Sequence, residues 1–262
     1  MEVVVLNDRL FNKNQLQNNQ ISHNKNGSRP YYYSFERNNH RVCVPLRTNT
    51  KKVPERYKEN LGAKQPNKPN SAVDLTKSII VTNEEYINNK SKANVPPNVN
   101  KYLKQPEQQK SIERKFDVMV KDYIKAKAKL STIPLTEFST IQYFHDELDL
   151  DTKIDNQKLK NTINEIADYG QTEKYNKLKD SLSLENKDRL EKYEDLNEFS
   201  ELCKYDGQID KNSDIENPRL IIHKDNQKFS LTATSLQNEP DKYVNDFLDF
   251  KPQNDRSNDL DL

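Results

Sequence analysis

From residue 47 to residue 52 the chain reads Arg-Thr-Asn-Thr-Lys-Lys, three cations and two hydroxyls within six residues. That set suits the charge of a phosphodiester. Arg47 offers a rigid fork for phosphate oxygens, Lys51 and Lys52 are mobile point charges, and Thr48 and Thr50 can each donate or accept one proton. No other stretch combines these side chains so densely. The sequence has no phosphate-binding glycine loop, no dinucleotide fingerprint, no Gly-x-Ser-x-Gly and no zincin pattern. His23, His40, His145 and His223 show no metal-ligand spacing. Asp146, Glu147, Asp149 and Asp151 form an acidic run, but successive positions do not converge on a point, so they read as a helix end and its exit loop. Neither a metal nor a cofactor is expected. His145 reads more simply as a packing or surface residue than as a catalytic one.

The elements around the cationic stretch follow from residue type. Tyr31 to Phe35 and Val42 to Leu46 are aromatic and β-branched runs, which suit strands, and the polar Glu36 to His40 between them suits a hairpin loop. Pro45 has no N–H for a sheet ladder and is expected at an edge or at the strand's end. Glu2 to Leu6 reads as a first strand and Asn7 to Ser28 as a polar connection. Residues 53 to 73 carry Pro54, Pro66 and Pro69 and read as a long loop with one helical turn near Glu55 to Asn60. Ala72 to Val81 is strand-like again, and Thr82-Asn83-Glu84-Glu85 starts a short helix by a capping-box pattern.

Beyond Pro96 and Pro97 the pattern turns helical. Glu107 to Leu130 is the strongest helix signal, with Ile112, Phe116, Met119, Val120, Tyr123 and Ile124 on one stripe. A further helix is expected from Pro134 to about Leu150. Lys153 to Tyr169 and Thr172 to Lys204 read as amphipathic helices, broken near Gly170 and around Ser183 to Asn186. Gly207 to Asn217 reads as a loop, Leu220 to His223 with Phe229 to Thr234 as a two-stranded hairpin, and Glu239 to Phe250 as a last helix. The end, from Pro252, is expected to be disordered.

Of the 262 residues 32% are hydrophobic, so the core must be modest. There is no apolar run long enough to span a membrane, no signal peptide is expected from the acidic start and its short apolar stretch, and two cysteines as far apart in sequence as Cys43 and Cys203 argue against a disulfide framework. The chain is expected to be cytoplasmic with both thiols reduced. The net charge of +1 conceals an asymmetry. Residues 1 to 140 hold about 25 basic and 13 acidic side chains, roughly +12, and the remainder is roughly −11. A basic half suggests a nucleic-acid partner.

A family resemblance rests on the order of several segments: a first strand, then Arg29-Pro30-Tyr31-Tyr32-Tyr33, Val44-Pro45-Leu46-Arg47-Thr48, Val73-Asp74-Leu75-Thr76-Lys77-Ser78-Ile79-Ile80-Val81, the helix at Glu107, and Ser139 to His145. In this order they resemble the toxins of type III toxin–antitoxin systems, the ToxN, AbiQ and TenpN proteins. The resemblance covers about residues 1 to 150. It implies an α+β fold with a small, strongly curved antiparallel β-barrel of the MazF/PemK kind and packed helices. A first domain over 1–152 is then followed by an acidic, mainly helical extension over 153–262 with a short hairpin.

It also implies a metal-independent endoribonuclease of phage defence. The ribose 2′-hydroxyl attacks the adjacent phosphate, leaving a 2′,3′-cyclic phosphate and a 5′-hydroxyl. Thr48 carries over as a phosphate or proton contact and Lys51 as charge stabiliser, with Arg47 taking a cationic role where the family has a Thr-Ser pair. Arg29, Tyr31, Tyr32, Thr50, Lys52 and Lys77 are the expected RNA contacts. Tyr31 stands where some members have a lysine, which leaves the general base unassigned. The implied partners are target RNA and a repeated antitoxin RNA folded as a pseudoknot, in a toxin–RNA assembly, with no membrane. A protein partner for the acidic region stays open. So do two other readings: a non-catalytic RNA-binding protein, and a phage or bacterial adaptor with a basic and an acidic half.

Overall fold

The structure is a computed structural model that describes residues 2–11, 32–87, 95–210, 212–214 and 216–248. The chain forms two compact units, one running to Gln157 and the other starting at Lys158. Both combine helices with antiparallel sheet, so the fold is α+β. Arg29, Tyr31, the segment 12–31 and the tail from Pro252 lie outside the described residues.

The first unit is organised by a hairpin. Strand β2 (Tyr32–Arg37) pairs with β3 (His40–Arg47) from Tyr32↔Pro45 to Arg37↔His40. Asn38 and Asn39 close it with φ of 50° and 62°. Two consecutive left-handed residues make a type I′ turn, whose twist matches the strands, and asparagine tolerates that conformation. The turn is thus two residues long, shorter than the expected loop of Glu36 to His40. Strand β1 (Glu2–Val4) pairs with β2, and helix α1 (Asp8–Phe11) follows it.

On the far side β3 changes partner along its length. Leu46 and Arg47 pair with β5 (Ala72–Asp74), which also pairs with β4 (Lys58–Asn60), whereas Arg41 to Cys43 pair with β6 (Ile79–Val81). Pro45 falls between these two pairings. It therefore sits inside an eight-residue strand and not at an edge or end. Counted from the hairpin's closing pair, its position is one whose N–H would point away from β2, so the missing donor leaves the β2–β3 ladder intact. The strand order is β1-β2-β3-β5-β4 with β6 on β3, and among the described residues this sheet does not close into a barrel.

Helix α2 (Pro97–Leu103) and helix α3 (Pro106–Ala128) each begin with a proline in the first turn, where an N–H has no helical acceptor. The expected stripe of α3 is its buried face. Ile112, Phe116, Met119 and Tyr123 are buried in the first core, and Val120 and Ile124 pack against it. Phe116 meets Phe35 of β2 edge-to-face at 5.5 Å between ring centroids. The single helix expected from Pro134 to Leu150 is instead three pieces: α4 (Pro134–Phe138), a 3₁₀ turn (Thr140–Tyr143) and α5 (His145–Leu148). Thr140 explains the interruption, because its hydroxyl donates to the Ser78 carbonyl beside β6 and draws the chain down onto the sheet.

Helix α6 (Leu150–Tyr169) contains the boundary between the units. In the second unit α7 (Glu173–Asp180) and α8 (Leu184–Leu202) are capped by Thr172 and Ser183, whose hydroxyls accept the Tyr175 and Asn186 N–H groups at 3.0 and 3.2 Å. Gly170 separates α6 from α7 with φ +70°. The hairpin is part of a three-stranded sheet, β7 (Asp206–Ile209), β8 (Arg219–Lys224) and β9 (Gln227–Thr232). Strand β7 lies where a loop was expected; it forms because β8 offers it an antiparallel edge from Asp206↔His223 to Ile209↔Leu220. Helices α9 (Ala233–Asn238) and α10 (Pro240–Phe247) end the described chain. A second core gathers Leu159, Ile163, Tyr175, Leu190, Leu196, Leu220, Ile222 and Phe247.

Candidate functional site

The cationic segment is a loop anchored from beneath. Thr50 is 2% exposed. Its hydroxyl and its N–H both donate to the Asn70 carbonyl, at 2.8 and 3.0 Å. Its own carbonyl accepts from the Val53 N–H at 2.9 Å and from the Lys58 ammonium at 3.1 Å. Lys58 is itself buried and held by Glu55 at 2.9 Å. Thr50, expected to face RNA, is therefore the fastening of the loop. Around that fixed point Thr48, Lys51 and Lys52 are exposed to solvent.

The fastening is itself held rigidly. Asn70 belongs to the segment 61–71, which closes on itself through Leu61 N–H to the Ser71 carbonyl at 2.8 Å. A β-carbon on Gly62 would collide with the Pro69 carbonyl, so only glycine allows this approach. Strand β4 is tied to the helices through Glu59. Its carboxylate accepts from Tyr102 at 2.6 Å, Lys115 at 2.8 Å and Ser111 at 3.2 Å. Burial, then this carboxylate, pushes the Tyr102 phenol well above its ordinary range.

Arg47 is not a free loop cation. It is the last residue of β3, opposite Ala72, which makes Asp74 of β5 its diagonal neighbour on the same face. Its Nη1 is bonded to Asp74 Oδ2, and the carboxylate is fully buried while the arginine side chain stays 37% exposed. The other oxygen of Asp74 accepts from the Thr76 N–H at 3.1 Å and the Thr76 hydroxyl at 2.6 Å. Asp74 thereby caps the 3₁₀ turn Leu75–Lys77, which carries Lys77. The Lys77 ammonium donates to the Phe138 carbonyl at 2.6 Å. Burial lowers the Lys77 pKa; Asp74 opposes that shift and Arg47 adds to it.

Four of the expected residues, Arg47, Thr48, Lys51 and Lys52, thus share one strand end and its loop, and Lys77 is joined to Arg47 electrostatically through Asp74. Tyr32 pairs with Val4 and Pro45 in the sheet. Sequence reasoning missed Asp74 and Thr76 as members of the site. The signal was present: one carboxylate in an otherwise apolar run, with a hydroxyl two residues on, is an Asx-type capping pattern.

A second polar cluster joins Tyr123, His145 and Asp151. The Tyr123 hydroxyl lies 2.9 Å from His145 Nε2, and His145 Nδ1 lies 2.6 Å from Asp151. Tyr123 is fully buried and its phenol is pushed up to about 12, first by burial and then by Asp151. Both ring nitrogens of His145 are engaged, so the cluster reads as a clasp between α3 and the start of α6. Among the described residues no group of three His, Cys, Asp or Glu side chains could hold a metal ion, and no helix is long and apolar enough to cross a membrane.

No family model, no curated protein and no solved structure matches this chain.

Proposed function

We propose that the first unit is an endoribonuclease that works without a metal ion, and that the chain is the toxin of a type III toxin–antitoxin system held in check by a small RNA. The observation that carries the reading is the placement of Lys77. A lysine of lowered pKa stands beside a half-exposed arginine, next to a fastened loop with two exposed lysines. Cleavage by the ribose 2′-hydroxyl needs such ingredients: positive charge for the pentacovalent phosphate and a group placed to exchange a proton with it.

In this reading Lys51 and Arg47 hold the phosphate oxygens, and Thr48 contacts the phosphate or passes a proton. Lys77 serves as the proton-transfer group, and Lys52 steers the RNA backbone. The products are a 2′,3′-cyclic phosphate and a 5′-hydroxyl. A closed barrel, as the resemblance implies, would need pairing outside the described residues. Residues 1–157 hold about 26 basic and 18 acidic side chains, which favours an anionic partner for this unit. The reading is tested by incubating the protein with RNA in a chelator: cleavage that is lost in Lys51→Ala supports it, and binding without cleavage makes the chain an RNA-binding protein.

A further inference from the structure

We propose that Asp74 is the positioning residue of this site, setting the direction in which Arg47 presents its guanidinium to a phosphate. The inference rests on the RNA-cleaving reading for its function but on geometry for its substance. The carboxylate is fully buried at the end of β5 and receives donors from two elements: Arg47 Nη1 from β3, and the Thr76 N–H and hydroxyl from the following turn. Arginine has several rotatable bonds, and a solvent-facing one samples many directions. A buried acceptor that grips one end of the planar fork leaves the remaining N–H donors aimed one way. More than a third of the side chain stays accessible, so the grip does not hide the cation.

Asp74 also connects Arg47 to Lys77. It caps the turn that carries the lysine, three residues on. One carboxylate therefore sets the relative placement of a phosphate-binding cation and a proton-transfer group. Preorganisation of this kind lowers the cost of reaching the transition state without touching substrate. Replacing it by asparagine keeps the acceptor for Thr76 but turns an amide donor towards Arg47, releasing the guanidinium without removing it.

The test uses the full chain as wild type, Asp74→Asn, Arg47→Gln and the double variant, with a mixed-sequence RNA. Each single variant is expected to lose roughly a hundredfold in kcat/KM, and the double variant no more than about threefold beyond Arg47→Gln, because Asp74 acts through Arg47. The alkaline limb of the rate profile should fall to lower pH in Asp74→Asn and rise in Arg47→Gln, since the two groups act on Lys77 with opposite sign. A merely structural role would not move that limb. Multiplicative losses, or a folded Asp74→Asn with wild-type rate, would overturn the inference. Should Asp74→Asn not fold, Thr76→Val removes one donor from the carboxylate and is expected to cost about tenfold; no loss there counts against it equally. The relaxation of the Arg47 Nε–H in ¹⁵N-labelled protein decides positioning independently of RNA. An ordered group in wild type that becomes mobile in Asp74→Asn supports it, and a group already mobile in wild type refutes it. A wild type that cleaves no RNA defeats the functional reading alone, and the relaxation experiment still decides the role of Asp74.

Discussion

Lys51 and Arg47 carry the same charge in neighbouring positions but differ in what their removal does. Lys51 is exposed on a fastened loop, so Lys51→Ala should change stability by no more than about 0.5 kcal/mol while lowering cleavage roughly a hundredfold. Arg47→Ala strands the buried Asp74 carboxylate and should cost about 3 kcal/mol as well as activity. A thermal melt beside a cleavage assay separates the two, and equal melting temperatures would refute the distinction. Sequence alone made both residues loop cations, because the pairing of Arg47 depends on the register of β3 against β5. Lys77 supplies a pH signature. Its lowered pKa means it loses its proton below the ordinary lysine range, so activity that needs the ammonium form should decline earlier than an unperturbed lysine would allow. Lys77→Arg keeps the charge but cannot exchange a proton, so it should lose roughly a hundredfold in cleavage rate, and a wild-type rate in that variant would exclude Lys77 from proton transfer.

At the scale of elements, the hairpin fixes the register of β3, which ends at the site, and helix α3 packs on the same core. Asn39→Gly gives the preferred Asn-Gly pair for a type I′ turn and should stabilise the first unit by up to about 1 kcal/mol, read as a higher melting temperature. A lower one would mean that the asparagine side chain contributes more than its backbone strain costs. Phe116→Ala removes the ring that meets Phe35 and should cost about 3–5 kcal/mol. The α3 stripe was legible because six apolar residues at spacings of three and four report a face directly. The break at Ser139 and strand β7 were not. The first depends on the Thr140 hydroxyl finding a carbonyl about sixty residues away in sequence, and the second on an edge that β8 supplies. Thr50 was misassigned for a similar reason, since its acceptor belongs to the turn at Asn70.

For the whole molecule, the two cores divide the chain cleanly in sequence: the first ends at Ile154 and the second begins at Leu159. All of the expected cations in the described residues belong to the first. The acidic second unit, roughly −7 from Lys158 onward, should therefore be dispensable for chemistry and matter for regulation or assembly. A fragment of residues 1–157 should cleave RNA with the same dependence on Lys51, and a folded but inactive fragment would place part of the site in the second unit. Metal-independent RNA cleavage by this chain is tested most directly with the purified full chain and RNA in excess chelator, with the new ends identified chemically. The expected result is fragments bearing 2′,3′-cyclic phosphate and 5′-hydroxyl ends, greatly reduced by Lys51→Ala and by Lys77→Ala. Intact RNA, ends of another kind, or cleavage undiminished in both variants would contradict it.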